Sequence, residues 1–141
     1  MTDAVLRRRD RFAGARVAHL ATADADGTPH VVPVTFAVVG DRIVVVIDGK
    51  PKSGRPLRRI RNIETNPRVS VLVDHYDEDW LQLWWARADG LARIVHAGPE
   101  LAESVAVLRA KYPQYATMVA TDGPAIAIDV DRWSGWEFRA Q

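Results

Sequence analysis

The chain has 141 residues, the length of one ordinary domain, and we expect a single domain over residues 1–141. Hydrophobic residues make up 48% and charged residues 26%, which excludes a disordered chain and indicates a soluble globular protein. The chain has no cysteine, which excludes disulfides, iron–sulfur clusters, thiolate zinc sites and cysteine nucleophiles. We find no apolar run near the roughly 20 residues of a membrane span. The charged N-terminus is unlike a secretory signal, so we expect a cytoplasmic protein without a membrane partner.

The charge is close to neutral in total, at +1, but it is unevenly distributed along the chain. Residues 1–68 carry a net charge of +6, and residues 69–141 a net charge of −5. Seven cations lie within residues 50–68 and are opposed only by Glu64. A local cationic cluster in a near-neutral domain favours a small anionic ligand over a nucleic acid. A solvated helix face is the alternative interpretation.

The predicted elements are short strands interrupted by three helices. In chain order they are a helix at 3–12 capped by Thr2 or Asp3, strands at 17–23, 30–38 and 42–48, a helix at 57–65, strands at 68–76, 80–88 and 91–97, a helix at 99–111, and one or two strands within 125–140. Asp-Gly at 26–27 and 89–90 and Gly-Asp at 40–41 predict tight turns. We expect the first three strands to form a meander, and the whole to be a small antiparallel barrel.

Common catalytic signatures are absent from the sequence. It has no dinucleotide-binding glycine motif, no Walker loop and no nucleophile elbow. Its four histidines lack the close pairing of a metalloprotease helix and have no obvious serine partner, so we interpret them as structural: His19, His30, His75 and His96. The sequence therefore assigns neither a catalytic residue nor a metal site.

One constellation, residues 44–74, indicates phosphate binding. It runs from an apolar strand through a polar loop with Lys and Ser to a basic helix, Asn-Pro and a second apolar strand. Phosphate binding needs several charge-assisted donors, which arginine supplies as a planar fork. The N-terminus of the helix adds backbone N–H groups and the positive end of its dipole.

This constellation resembles the flavin-binding split-barrel superfamily typified by pyridoxamine 5′-phosphate oxidase. Arg58-Arg59 precede N-P-R-V-S at 66–70 by the same distance as the family's basic pair precedes its N-P motif. The opening VAHLATADADGTPHVVPVTF is also similar. The segments K-P-K, L-R-R-I-R-N-I, D-H-Y-D-E-D-W and L-W-W resemble a subgroup of coenzyme F420-dependent oxidoreductases.

The resemblance implies a mainly β fold, a split β-barrel with six or seven antiparallel strands and two or three short helices. It implies a homodimer with the cofactor in a groove between the subunits. The implied reaction is hydride transfer between the deazaflavin coenzyme F420 and a small conjugated or quinone-like acceptor. The alternatives are an FMN-binding oxidoreductase of the same class and a non-enzymatic cofactor-binding protein.

The resemblance also assigns residues to parts of the cofactor. These are Arg58 and Arg59 for the phosphate, Ile47 and Asp48 for the ribityl chain, Pro33, Val34 and Thr35 for the tricyclic ring, Trp84 or Trp85 for a ring contact, and Trp136 for the partner's ring. An indole on the strand of Trp84 and Trp85 departs from the polar side chain usual in the family and favours stacking. If a strand begins at Trp80, Trp80 and Trp84 face one way and Trp85 the other.

A second departure from the family is the loop GKPKSGRPL before Arg58. It brings three further cations and a hydroxyl: Lys50, Lys52, Arg55 and Ser53. Because the deazaflavin carries a phospholactyl group and a polyglutamate tail, it has more negative charge to neutralise than FMN. We therefore assign this loop to the tail, with a solvent-exposed loop that binds nothing as the alternative.

Overall fold

A seven-stranded antiparallel sheet forms the centre of the computed structural model, which describes residues 2–47, 57–117 and 123–138. Its strands are β1 Ala18–Ala23, β2 Pro29–Val34, β3 Ala37–Val39, β4 Arg42–Val46, β5 Arg68–His75, β6 Trp84–Val95 and β7 Ala125–Glu137. Its helices are α1 Asp3–Gly14, α2 Arg58–Thr65 and α3 Pro99–Lys111, with short 3₁₀ turns at Trp80–Gln82 and Pro113–Ala116. The side chain of Thr2 caps α1 by accepting from the N–H of Val5, as the sequence predicted.

The order of the strands, β2-β1-β5-β6-β7-β4-β3, explains how the sheet becomes a barrel. The strands at its two ends, β2 and β3, are neighbours in the chain and are separated only by Thr35 and Phe36. One chain segment therefore pairs with β1 through its first half and with β4 through its second half. The mainly β split barrel predicted from the sequence is confirmed.

Alternation along the strands places the apolar core inside the barrel. On β1, Ala18 and Leu20 are buried, and on β5, Val69, Val71 and Val73 are buried. On β4, Ile43 and Val45 face the barrel core, while Val44 and Val46 pack against α3 and its Leu108. β4 is thus apolar on both faces because it lies between two layers, as its sequence indicated.

Two predicted strands have wrong boundaries. The strand predicted at 30–38 is broken at Thr35 and Phe36 into β2 and β3. The strand predicted at 80–88 starts only at Trp84, because the Asp79 carboxylate accepts from the N–H of Leu81 and caps a 3₁₀ turn. The alternation expected from Trp80 onward therefore does not exist before Trp84.

The hairpin predicted at Asp89-Gly90 is also wrong, because β6 continues through both residues as a single strand of 12 residues. The register between β6 and β7 shifts between Asp89 and Gly90, which marks a β-bulge. A Cβ at Gly90 would lie 2.3 Å from the carbonyl oxygen of Asp129. The glycine therefore permits a close approach of two backbones rather than a turn.

Candidate cofactor-binding site

The basic helix α2 is fixed at one end of the barrel by a polar contact and by the Asn-Pro segment. Its buried side chains are Ile60, Asn62 and Ile63, and Asn62 donates to the hydroxyl of Thr22 at 3.0 Å. The carbonyl of Pro67 then accepts from the N–H of Ala92 on β6 at 2.8 Å. Because one face of α2 is held in this way, Arg58 and Arg61 are exposed on the other side of the helix.

The environment of the Arg59 guanidinium gives the strongest indication of an anion site. Its guanidinium is half-buried, and its Nε is buried without a hydrogen-bond partner. Burial lowers the pKa of Arg59 from the usual arginine value. Within the described residues, no carboxylate lies at ion-pair distance from Arg59. A guanidinium N–H that is buried without an acceptor is costly, so the position suits an anionic ligand.

Arg58 is exposed and lies with Arg61 on an open depression opposite the turn that joins β1 and β2. That turn contributes Asp24, whose carboxylate accepts from the N–H groups of Asp26 and Thr28, both at 2.9 Å. The hydrogen bond from Thr28 is the main cause of the lowered pKa of Asp24, and the charge of Arg58 adds to it. Because the turn already satisfies Asp24, Arg58 keeps donors for another anion.

The segment expected to border the cofactor ring lies at the end of β2. Pro33 is exposed on the outer face of the barrel, whereas the side chain of Val34 is buried in the core. Of Val34, only the backbone can therefore line a groove. Thr35 lies in the break, half-buried, and its hydroxyl is hydrogen-bonded to the hydroxyl of Tyr115.

Ile47 follows β4, and its side chain is 2% exposed in the barrel core. Its N–H donates to the carbonyl of Pro124 at 2.8 Å. A ribityl chain would therefore meet the backbone of Ile47 and not its side chain. The assignments to Asp48, Lys50, Lys52, Ser53 and Arg55 lie outside the described residues and stay predictions.

The two adjacent tryptophans on β6 face opposite sides of the barrel wall. Trp84 packs against the core, and its ring stacks on that of His75 at a centroid distance of 5.9 Å. Trp85 pairs in register with Trp136 on β7, and the guanidinium of Arg87 lies 5.6 Å from the Trp85 ring. The structure thus places Trp85 and Trp136 side by side and separates both from Trp84.

A cluster around the break was missed by the sequence analysis. The hydroxyl of Tyr112 accepts from the N–H of Phe36 at 3.4 Å, and Lys111 Nζ lies 3.8 Å from the centroid of the Phe36 ring. Burial lowers the pKa of Lys111 to about 8, and the charge of Arg16 contributes. These residues are far apart in the chain, so no local pattern could have indicated that they meet.

Two further observations concern only the described part of the chain. No group of three His, Asp or Glu side chains there could hold a metal ion. No helix in that part is long and apolar enough to cross a membrane.

Known proteins similar to this chain include one curated relative. It is the 5a,11a-dehydrotetracycline/5a,11a-dehydrooxytetracycline reductase of Streptomyces rimosus, 44% identical over 55 residues. The match covers 39% of this chain and only 37% of that relative. The likeness is therefore local.

Solved structures share the fold along nearly the whole chain. The conserved hypothetical protein Rv2991 from Mycobacterium tuberculosis has a TM-score of 0.73 at 23% identity, over 97% of this chain and 85% of that one. The heme storage protein HutZ from Vibrio cholerae has a TM-score of 0.69 at 20% identity, over 94% of both chains. The FAD binding protein from Mycobacterium smegmatis has a TM-score of 0.66 at 18% identity, over 99% of this chain and 98% of that one.

The family assignment rests on a longer match. The family model for pyridoxamine 5′-phosphate oxidase covers residues 7–137, from the middle of α1 to the last residue of β7. The split barrel agrees with that match. The chain belongs to the pyridoxamine 5′-phosphate oxidase family.

Proposed function

We propose that this protein is a coenzyme F420-dependent oxidoreductase that transfers hydride between the deazaflavin and a small conjugated or quinone-like acceptor. The observation that carries the proposal is the buried, unpartnered Nε of Arg59 beside the exposed Arg58 on α2. The family is oxidoreductase-like, and the Streptomyces rimosus relative is a reductase of dehydrotetracyclines, which supports reductive chemistry on an unsaturated acceptor.

The residues on α2 fit the phosphate of such a cofactor. Arg59 Nε lacks an acceptor, and Arg58 is exposed at the start of the same helix. A phosphate oxygen would supply the missing acceptor and offset the cost of the buried cation. When bound, the deazaflavin supplies the hydride chemistry, and the protein binds, orients and shields it.

On the outer face, Trp85 offers an aromatic surface beside Trp136. Of the two tryptophans considered for the ring contact, we favour Trp85, because Trp84 packs against the core. The backbone of Val34 and Thr35 would border the ring from the end of β2. The assignment of Lys50, Lys52 and Ser53 to the acidic tail remains part of the proposal.

We also propose that the active unit is a homodimer with the cofactor between the subunits. The outer face of the barrel exposes Val31, Leu72 and Trp136, which are large apolar side chains. Exposed apolar surface of this kind is characteristic of interaction sites. A second copy covering this face would place Trp136 where it could approach the partner's cofactor.

Two alternatives remain open under this proposal. An FMN-binding oxidoreductase would use Arg58 and Arg59 for a simple phosphate, and the FAD binding protein of the same fold favours that possibility. A non-enzymatic cofactor-binding protein is the other alternative, since HutZ shares the fold and stores heme. The fold alone does not distinguish these two alternatives from an F420-dependent oxidoreductase.

The deciding experiment is a titration of the purified protein with coenzyme F420, FMN and hemin, followed by tryptophan and cofactor fluorescence or by absorbance. We expect tight F420 binding and weaker FMN binding. We expect Arg59→Gln to raise the Kd for F420 about tenfold or more, because it removes a charge-assisted contact worth about 1.5–3 kcal/mol. The matched control is Arg109→Gln, which replaces an exposed arginine on α3, outside the proposed site, and should change the Kd less than threefold.

The outcomes separate the alternatives. Tight FMN binding without F420 binding would favour the FMN-binding oxidoreductase. Tight hemin binding without F420 binding would favour the non-enzymatic cofactor-binding protein. Equal losses in Arg59→Gln and Arg109→Gln would contradict the site. Lys52→Ala should weaken F420 binding far more than FMN binding, and equal loss for both would contradict the assignment of the loop to the tail.

A further inference from the structure

At the break between β2 and β3, the backbone is not paired with a neighbouring strand of the sheet. Pairing with β1 stops at Val34, and pairing with β4 begins at Ala37. Thr35 and Phe36 therefore lie outside both ladders. Backbone and side-chain polar groups at such a place need partners from elsewhere.

Two tyrosine hydroxyls supply these partners. The Tyr115 hydroxyl is hydrogen-bonded to the Thr35 hydroxyl, and the Tyr112 hydroxyl accepts from the Phe36 N–H at 3.4 Å. The Tyr112 hydroxyl in turn donates to the carbonyl of Arg16 at 2.9 Å. The break is thus tied both to the segment after α3 and to the segment that precedes β1.

Both tyrosine side chains are buried and packed against other elements. Tyr112 is 5% exposed and Tyr115 7% exposed, and both pack with Leu108 of α3 against the outer side of β4. The Arg16 guanidinium lies 4.4 Å from the centroid of the Tyr112 ring. Burial raises the pKa of Tyr112 above its usual value, so its hydroxyl keeps its proton at neutral pH.

The bonded residues connect this cluster to the proposed site. Phe36 is fully buried in the barrel core, and Thr35 is bonded to Tyr115, which belongs to the separate cluster beside α3. The hydroxyl of Tyr115 therefore holds the last residue of the segment Pro33–Thr35, to which the proposed function assigns the cofactor ring. A displacement of Thr35 would displace the backbone of that segment.

We propose that Tyr115 is a positioning residue for the cofactor ring, which acts through its hydrogen bond to Thr35. The inference rests on the proposed function, because it needs a tricyclic cofactor against Pro33–Thr35. Tyr112 supports the same break through the N–H of Phe36. The segment Pro113–Ala116 thereby becomes part of the cofactor site without contacting the cofactor.

The test compares Tyr115→Phe, Thr35→Val and the double variant, with F420 and FMN as probes. We expect each single variant to raise the Kd of the cofactor that binds the wild type about fivefold, and to change its fluorescence at saturation. The double variant should be no worse than either single variant, because both remove the same bond. Thr35→Ser keeps the hydroxyl and should bind nearly as the wild type does.

The matched control is Ser104→Ala, which removes a buried hydroxyl from α3 that donates to the carbonyl of Glu100 in the same helix at 2.8 Å. It should leave the affinity and the spectrum unchanged. Thermal unfolding of every variant separates loss of stability from loss of positioning.

Three results would overturn the inference. If Tyr115→Phe melts earlier but binds with an unchanged spectrum, its role is structural only. If the losses in Tyr115→Phe and Thr35→Val add, the two hydroxyls do not act through one bond. If the wild type binds neither cofactor, the proposed function fails together with the inference, whereas normal binding by Tyr115→Phe removes the inference alone.

Discussion

Gly90 lies where β6 and β7 approach too closely for any side chain. A Cβ there would stand 2.3 Å from the carbonyl oxygen of Asp129 and 3.0 Å from the Cα of Val130, and both of these atoms belong to the backbone. The bulge that begins at this residue lets one long strand change register against its neighbour. A single residue thus allows β6 to pair with β5 along one edge and with β7 along the other.

We expect Gly90→Ala to lower the free energy of unfolding by about 1–3 kcal/mol, because the backbone must move to admit the methyl group. Gly14→Ala is the control, since a Cβ at Gly14 meets nothing within 4 Å and alanine favours the helix. Urea unfolding of the two variants measures the difference. Similar stabilities for both would contradict the role of Gly90.

At the scale of elements, α3 and the 3₁₀ turn after it close one side of the barrel. Leu108 packs on Val44 and Val46, and Lys111 ends the helix with its ammonium over the Phe36 ring. Lys111 Nζ is buried without a hydrogen-bond partner, so its charge costs stability in the folded protein. The groups facing it are the Arg16 guanidinium and the ring of Tyr112.

This arrangement predicts a dependence of stability on pH. Burial and Arg16 lower the pKa of Lys111 to about 8, from 10.5 in the unfolded chain. Above about pH 8 the unfolded chain binds a proton that the folded chain has released, so stability rises with pH. Below about pH 8 both forms are protonated, and the cost of the buried charge is fully present.

We expect the wild type to gain roughly 1 kcal/mol of unfolding free energy relative to Lys111→Met between pH 7.5 and 9.5, a value reduced because the Lys111 side chain as a whole is only partly buried. Urea unfolding of both proteins at the two pH values measures this gain. The range ends below pH 10, where tyrosines begin to titrate. Parallel pH profiles for the two proteins would show that Lys111 carries no shifted charge.

At the scale of the whole molecule, the outer face of the barrel carries exposed apolar side chains. Val31 is 60% exposed and Leu72 37% exposed, on strands that are otherwise well buried on their inner side. Across this face the register aligns Pro33, His19 and Leu72 in one row of β2, β1 and β5. The proposed second copy would cover this row and remove its apolar side chains from water.

We expect Val31→Glu to convert the proposed dimer to a monomer and to weaken cofactor binding, because it places a charge in an apolar contact. Ala106→Glu, on the exposed side of α3, is the control for surface charge and should leave the assembly unchanged. Sedimentation velocity with and without cofactor measures both effects. A monomeric wild type that binds cofactor tightly would contradict the shared site.

Local signals in the sequence predicted the helices, most of the strands and the place of the basic pair. These signals are strand alternation, the cap at Thr2 and the Asn-Pro at the end of α2. Each acts over a few residues, so it can be recognised in the sequence before the fold is known. The motif around Arg58 and Arg59 sufficed for the family, which the match over residues 7–137 confirms. The roles of the individual site residues stay predictions.

Only the tertiary structure decided the break at Thr35 and Phe36, the passage of β6 through Gly90, and which of Trp84 and Trp85 packs against the core. Each depends on a partner strand that is distant in the chain, such as β7 for Gly90 and Trp85. The contact between Tyr115 and Thr35 joins residues 80 positions apart. Local propensity cannot predict such pairs, because the chain brings them together only when the barrel closes and its apolar side chains leave water.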